Sequence, residues 1–179
     1  MSEIVLELFA EKHLEAAARL VDDPGVQRFT RIPVPAPPDF PRTWLRSYEE
    51  GRRAGTRDGF AIVEPADRSF LGLAVAPRID AAARTAELGY VVVPEARGRG
   101  IATLALGLLT DWAFSSLGAL RLELLIGVEN EPSKRVAERC GYVREGVLRS
   151  LSFKQGLRED TEIWSRLPSD PVPDPRRAA

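Results

Sequence analysis

The stretch VVVPEARGRGIATLAL, residues Val91–Leu106, decides the fold of this chain. A β-branched run ends at a proline, two glycines then bracket an arginine, and apolar residues with helical spacing follow. A strand that turns directly into a helix across glycines points free backbone N–H groups at one place, where the helix dipole also attracts an anion. The stretch therefore predicts a strand, a phosphate-type anion site and a helix in succession.

Several loop types compete for this glycine turn. A P-loop needs Gly, four residues and then Gly-Lys-Ser/Thr, and nothing here matches that pattern. A dinucleotide loop of the form G-x-G-x-x-G would need glycine where Thr103 stands, although Glu129 at the end of the next strand could then bind a ribose. A purely structural turn that uses glycine for positive φ is the remaining alternative. Arg97 and Arg99 favour an anion site because they place charge beside the turn.

Composition indicates one packed domain, with 179 residues of which 44% are hydrophobic. The net charge of −1 gives no basic surface for nucleic acid. A single cysteine excludes an internal disulfide and makes the cytoplasm the simplest location. No apolar run reaches the roughly 18 residues of a membrane span, and no signal-like segment opens the chain. We therefore expect a soluble, cytoplasmic protein without a nucleic-acid or membrane partner.

Apolar periodicity predicts alternating strands and helices in a mixed α/β sheet. Strands are expected over 3–9, 59–64, 69–80, 84–93, 121–128, 142–153 and 160–167. Helices are expected over 11–23, 44–55, 100–118 and 130–141. The prolines of Arg31–Pro41 predict an irregular segment there, and the proline-rich tail 168–179 is expected to be disordered.

The segment RGRGIA matches the Q/R-x-x-G-x-G/A acyl-CoA loop of the GNAT acetyltransferase superfamily, with Arg97, Gly100 and Ala102 at the first, fourth and sixth places. With ELGYVVVPEARGRGIATLAL and LELLIGVENEPSKRVAERCGYVREGVLR, the chain resembles the ribosomal-protein N-terminal acetyltransferase branch, the RimJ/RimL type. The resemblance implies one GNAT-like α/β domain of the α+β type over residues 1–167. Its mixed twisted sheet would have about seven strands and about four flanking helices, with the fourth and fifth strands splayed apart to admit acetyl-CoA.

The resemblance also implies which residues contact acetyl-CoA. Backbone groups of Val91 and Val93 would pair with the pantetheine arm like an added strand, and the amides from Gly98 to Thr103 would cradle the pyrophosphate. Asn130 would hydrogen-bond the pantetheine, cap a helix, or do both. The implied cofactor set is Val91, Val92, Val93, Arg97, Gly98, Arg99, Gly100, Ile101, Ala102, Thr103, Asn130 and Ser133. With one histidine and one cysteine in the chain, no metal site is expected.

Acyl transfer to an amine requires a neutral amine and a leaving thiolate. Period two places Glu87 on one face of its strand with Gly89 and Val91, which makes it a candidate base acting through water; the alternative is a surface carboxylate. The usual GNAT tyrosine would fall at Ala137. The resemblance gives the role of bonding the departing sulfur to Ser133, and the alternative there is a local helix cap.

Two further reactive residues are expected to have no part in the chemistry. Cys140 is expected to be a buried small hydrophobic residue rather than an acylated nucleophile. His13, in the first helix and far in sequence from the glycine turn, is expected to be exposed.

These features predict an acetyl-CoA-dependent N-acetyltransferase that transfers directly in a ternary complex. The expected acceptor is a primary amine, foremost the α-amine of a protein or peptide N-terminus. That amine has a pKa of about 7.7–8.0 and is partly neutral, whereas a lysine near about 10.4 would demand a stronger base. A small amine such as an antibiotic or polyamine, and a non-catalytic acyl-CoA-binding GNAT module, are the alternatives. The oligomeric state, including a homodimer, stays open.

Overall fold

The computed structural model describes residues 3–173. They form one seven-stranded sheet in the order β1-β2-β3-β4-β5-β7-β6. The strands are β1 Val5–Leu8, β2 Asp58–Val63, β3 Phe70–Asp80, β4 Thr85–Val92, β5 Arg121–Gly127, β6 Val143–Lys154 and β7 Leu157–Arg166. The α-helices are α1 Leu14–Val21, α2 Pro24–Phe29, α3 Phe40–Ala54, α4 Ile101–Ser115 and α5 Glu131–Arg139. The predicted mixed sheet is confirmed, with one more helix than expected.

The additional helix is α2, which begins at the proline that was expected to end the first helix. Asp23 caps it, because its Oδ1 accepts a hydrogen bond from the Val26 amide at 2.8 Å. Pro24 then occupies the first helical position, where a missing N–H costs nothing. A proline in the first turn is also found in α3, where Pro41 allows the helix to start inside the proline-rich segment. The irregular segment therefore ends at Asp39 instead of Pro41.

The sheet opens between β4 and β5. These strands are parallel and pair only from Thr85 with Arg121 to Glu87 with Glu123. Beyond Glu87 the two strands separate, while β4 stays paired with β3 as far as Val92. The splay that the resemblance implied is thus present, and Glu87 lies where it begins.

Two apolar cores cover the two faces of the sheet. On one face α4 and α5 pack against the strands, with Leu106 and Leu109 fully buried. On the other face α1 to α3 pack, with Leu20 and Leu45 buried. Burying a leucine side chain stabilises a fold by about 1.5–3 kcal/mol, so both layers hold the sheet from which the splayed strands emerge.

The tip of the β6–β7 hairpin reaches back to α2. Gln155 and Gly156 both have positive φ, which suits a two-residue turn of the hairpin type. Lys154 beside the turn donates to the Thr30 carbonyl at 2.7 Å and also to the Gln27 carbonyl. The hairpin therefore supplies a cation to the carboxyl end of α2 and holds that helix in place.

The tail beyond β7 begins with a turn. The Asp170 carboxylate accepts a hydrogen bond from the Leu167 amide at 2.8 Å. Pro173 then lies beside Gly141, where a Cβ would approach its ring to 2.8 Å. Residues 174–179 lie outside the described residues, and disorder of the tail stays a prediction for them. Between residues 3 and 173, none of the helices has the length and apolar character needed to cross a membrane.

Candidate active site

A cleft of about 950 Å³ opens where β4 and β5 separate. One end, called the glycine end, is formed by the segment from Val92 to Thr103 at the carboxyl end of β4. The other, called the Glu87 end, is formed by Arg31, Tyr48, Arg57 and Glu87. Asn130 and one side of α5 line the cleft opposite β4, with Pro132, Ser133, Arg135, Val136 and Arg139.

The glycine end is built from backbone. Gly98 and Gly100 have φ of +75° and +79°, the left-handed region that favours glycine, and a Cβ on either would meet no atom within 4 Å. Gly100 immediately precedes α4. Leu104 is the first residue of this helix whose amide has a partner within it, the Gly100 carbonyl. The amides of residues 101–103 therefore have no helical acceptor and are available to an anion.

Both arginines of the glycine turn are paired with carboxylates. Arg97 lines the cleft, but its Nη2 donates to Asp23 Oδ1 at 2.7 Å and its Nε to the Val92 carbonyl at 3.1 Å. Arg97 thus connects the start of α2 with the end of β4. Its hydrogen bond also holds the pKa of Asp23 below its ordinary value. Arg99 does not line the cleft and lies 3.4 Å from Glu64.

The backbone of β4 corrects the predicted pantetheine contacts. Val93 does not line the cleft, and its amide donates to the Leu71 carbonyl at 2.9 Å, toward β3. Polar groups alternate along a strand, so those of Val91 also face β3, while those of Tyr90 and Val92 face the gap. The Val92 carbonyl accordingly accepts from Arg97 instead of from β3. The backbone groups that face the gap are therefore those of Tyr90 and Val92, one residue away from the predicted Val91 and Val93.

Glu87 is buried and ion-paired, which corrects the alternative of a surface carboxylate. Its side chain is 8% exposed, and its Oε1 lies 2.7 Å from Arg31 Nη2. Arg31 is 67% exposed and reaches the carboxylate from the segment after α2. A carboxylate oxygen has two lone pairs, so the ion pair leaves Glu87 able to accept a hydrogen bond from water or an amine.

The structure separates the roles of Asn130 and Ser133. Asn130 Oδ1 accepts a hydrogen bond from the Ser133 amide at 3.2 Å and caps α5. The Ser133 side chain is therefore not the cap, and it lines the cleft half-buried. Its role toward a departing sulfur stays a prediction. Of the implied cofactor set, the residues that line the cleft are Val91, Val92, Arg97, Gly98, Gly100, Ile101, Ala102, Thr103, Asn130 and Ser133.

Sequence reasoning missed Tyr90 and the arginines of the Glu87 end. The Tyr90 hydroxyl is buried and has no hydrogen-bond partner among the described residues. Burial raises the pKa of Tyr90 to about 12. The Ser133 hydroxyl lies nearby and opposes that rise, without meeting the geometry of a hydrogen bond. The available signal was the alternation of β4, which places Tyr90 on the face of Leu88 and Val92. No sequence signal connects Arg31 or Arg57 with Glu87, because they are far apart along the chain.

Cys140 and His13 are both buried, and the polar atoms of both side chains have hydrogen-bond partners. Cys140 Sγ donates to the Thr103 carbonyl at 3.4 Å, and burial raises the pKa of this thiol to about 11, which disfavours the reactive thiolate. His13 was expected to be exposed but is 5% exposed. Its Nε2 lies 2.7 Å from Glu7 and its Nδ1 accepts from the Ala10 amide. Across residues 3–173, no group of three or more His, Cys, Asp or Glu could hold a metal ion.

Comparison with known proteins identifies the class. A family model for the acetyltransferase (GNAT) domain matches residues 3–143, so the chain belongs to the GNAT acetyltransferase family. The solved structure of RimL, a ribosomal L7/L12 alpha-N-protein acetyltransferase in complex with coenzyme A, matches with a TM-score of 0.84 and 20% identity, over 93% of this chain and 95% of that chain. The predicted membership of the GNAT superfamily is confirmed by the family model, and the likeness to RimL confirms the predicted fold.

The relatives differ in the acceptors that their names state. The spermidine N(1)-acetyltransferase of Vibrio cholerae serotype O1 is 31% identical over 101 residues, 56% of this chain and 58% of that protein. The ribosomal-protein-serine acetyltransferase of Escherichia coli (strain K12) is 30% identical over 98 residues, 55% of each. The chain spans about half the length of the curated relatives it matches. Because the two identities are nearly equal, similarity does not choose between a polyamine and a protein acceptor.

Proposed function

We propose that this chain is an acetyl-CoA-dependent N-acetyltransferase whose acceptor is the α-amine of a protein or peptide N-terminus. The observation that carries the proposal is one cleft with an amide cradle for an anion at the glycine end and a buried carboxylate, Glu87, at the other. Ser133 lines the same cleft, so a candidate base and a candidate sulfur donor face one space. The presence of both groups in one cleft favours an enzyme over a non-catalytic acyl-CoA-binding module.

Acetyl-CoA fits the cleft along β4. The pyrophosphate would lie on the amides of residues 98–103, and the pantetheine arm would pair with the gap-facing backbone of Tyr90 and Val92. Arg135 and Arg139 on α5 line the cleft and have no carboxylate within salt-bridge distance among the described residues. They can supply the positive charge that Arg97, paired with Asp23, does not.

The reaction then needs only groups that the cleft holds. The amine nitrogen attacks the thioester carbonyl, the new C–N bond forms, and the C–S bond breaks with its electron pair going to sulfur. Glu87 accepts the amine proton through water, and the Ser133 hydroxyl donates a hydrogen bond to the thiolate. An α-amine suits this weak base, because its pKa of about 7.7–8.0 leaves part of it neutral before binding.

The charge of the cleft favours a peptide over a polyamine. Among the described residues, Glu87 is the only carboxylate that lines the cleft, and it is already paired with Arg31. Two arginines, Arg31 and Arg57, line the cleft at this same Glu87 end. A polyamine would bring several ammonium groups against this positive wall, whereas a peptide N-terminus brings one amine followed by neutral backbone.

Mass spectrometry of acetylated products tests the proposal. The chain is incubated with acetyl-CoA and a mixture of peptides with blocked lysines, peptides with blocked N-termini, spermidine and an aminoglycoside. We expect acetylation of the free peptide α-amines. Acetylation of spermidine or the aminoglycoside without any peptide product would reject the acceptor and leave the cofactor assignment intact. Tight CoA binding with no transfer to any amine would indicate the non-catalytic module.

A further inference from the structure

Tyr90 carries a buried polar group that the fold itself does not satisfy. Its ring packs against the core between the sheet and α4, while its hydroxyl has no hydrogen-bond partner among the described residues. A buried hydroxyl without a partner costs about 1–3 kcal/mol, and folded proteins leave few of them. Such a group beside a cleft requires a partner that the described residues do not supply.

Tyr142 shows what this fold does with a hydroxyl that has only a structural role. It is also buried, but its hydroxyl lies 2.8 Å from Thr110 Oγ1, and it does not line the cleft. Tyr90 by contrast lines the cleft together with Ser133. Tyr90 belongs to β4 and Ser133 to the first turn of α5, so the two side chains line the cleft from its two sides.

We propose that the Tyr90 hydroxyl is a second hydrogen-bond donor to the thioester sulfur of acetyl-CoA, beside Ser133. This inference rests on the proposed function. As the C–S bond breaks, both electrons of that bond move to sulfur, and the two hydroxyls stabilise the thiolate without giving up their protons. Burial raises the pKa of Tyr90 to about 12, above the value of about 8.5 typical of a thiol, so the phenol stays protonated and donates throughout.

The test compares Tyr90→Phe with Tyr142→Phe, since each keeps the ring and removes one buried hydroxyl. For Tyr90→Phe we expect kcat to fall about tenfold to a hundredfold, with KM for acetyl-CoA changed by less than about threefold. Its melting temperature should stay or rise, because the lost hydroxyl has no protein partner. For Tyr142→Phe we expect the reverse, a lower melting temperature with normal kcat, because Thr110 loses its partner.

Introducing Tyr90→Phe into a Ser133→Ala background distinguishes a direct donor from one that acts only through Ser133. We expect a further fall in kcat of at least about threefold in that background. An unchanged kcat there, a normal kcat for Tyr90→Phe alone, or equal losses in the Tyr90 and Tyr142 variants would overturn the inference. Failure of the proposed function would appear differently, as an absence of acetyl transfer by the unsubstituted chain.

Discussion

The two ends of the cleft are built by different means. The glycine end uses the backbone of one continuous segment, and its chemistry depends on two residues with positive φ, Gly98 and Gly100. The Glu87 end uses side chains from separate segments, with Arg31 after α2 and Arg57 before β2. A backbone site is fixed by the fold, whereas a side-chain site can change by substitution on the same fold. Donor binding and acceptor choice should therefore respond to mutation independently.

The largest effect is expected at the glycine end. Gly100→Glu should weaken CoA affinity by more than about a hundredfold in calorimetric titration, because the side chain and its charge would oppose the pyrophosphate. Gly55→Glu is the matched control, since Gly55 has φ of +70°, also has no atom within 4 Å of a Cβ, and ends α3 outside the cleft. Both variants should lose similar stability, about 1–2 kcal/mol. Equal CoA affinity of the two variants would contradict the assignment of the pyrophosphate to the glycine end.

The next effect separates the two residues at the start of α5. Ser133→Ala should lower kcat about tenfold to a hundredfold with little change in melting temperature, because Asn130 and not Ser133 caps the helix. Asn130→Ala should lose about 1 kcal/mol of stability. Turnover assays and thermal melts of both variants check this. Normal turnover with a lower melting temperature in Ser133→Ala would show that its role is structural.

A smaller effect is expected on acceptor choice at the Glu87 end. Arg57→Glu should raise kcat/KM for spermidine about tenfold relative to Arg53→Glu, because a carboxylate then faces the bound amine. Arg53 is exposed near the end of α3 and does not line the cleft, so its variant changes net charge equally. CoA affinity should be the same in both variants. If both variants respond alike, the cleft charge does not select the acceptor.

The smallest effect is expected outside both ends, at His13. Burial lowers the pKa of His13 below 6.5, so below that pH the unfolded chain binds the proton more readily than the folded one. Stability should therefore fall as pH decreases from 6.5 toward the lowered pKa. Urea unfolding of the chain and of His13→Gln between pH 7 and about pH 5 measures the difference. An equal pH dependence of stability in the chain and in His13→Gln would contradict the assignment of this effect to His13.

The glycine end could be predicted from the sequence because its information is local. Strand, turn and helix follow one another along residues 85–115, and the first turn of α4 needs only the residues beside it. The choice between Val91 and Val92 could not be predicted, because it depends on the bond between Val93 and Leu71 in another strand. A shift of one residue reverses which groups face the gap.

The Glu87 end could not be predicted because its contacts join distant segments. The burial of Glu87 and its bond to Arg31 require α2, and α2 was missed because Asp23-Pro24 is both a helix cap and an apparent stop. The carboxyl end of α2 is held by distant residues: Lys154, more than 120 positions away, donates to the Thr30 carbonyl, and Arg28 pairs with Glu129. Periodicity within one segment carries no information on such contacts.

A crystal structure of the chain with CoA and an acceptor peptide is the most direct test of the two-ended cleft. We predict the pyrophosphate within hydrogen-bond distance of the amides of residues 98–103 and the pantetheine on the backbone of Tyr90 and Val92. The sulfur should lie between the hydroxyls of Tyr90 and Ser133, with the peptide amine toward Glu87. A pyrophosphate bound away from the glycine end, or an amine on the far side of the sulfur from Glu87, would contradict the account.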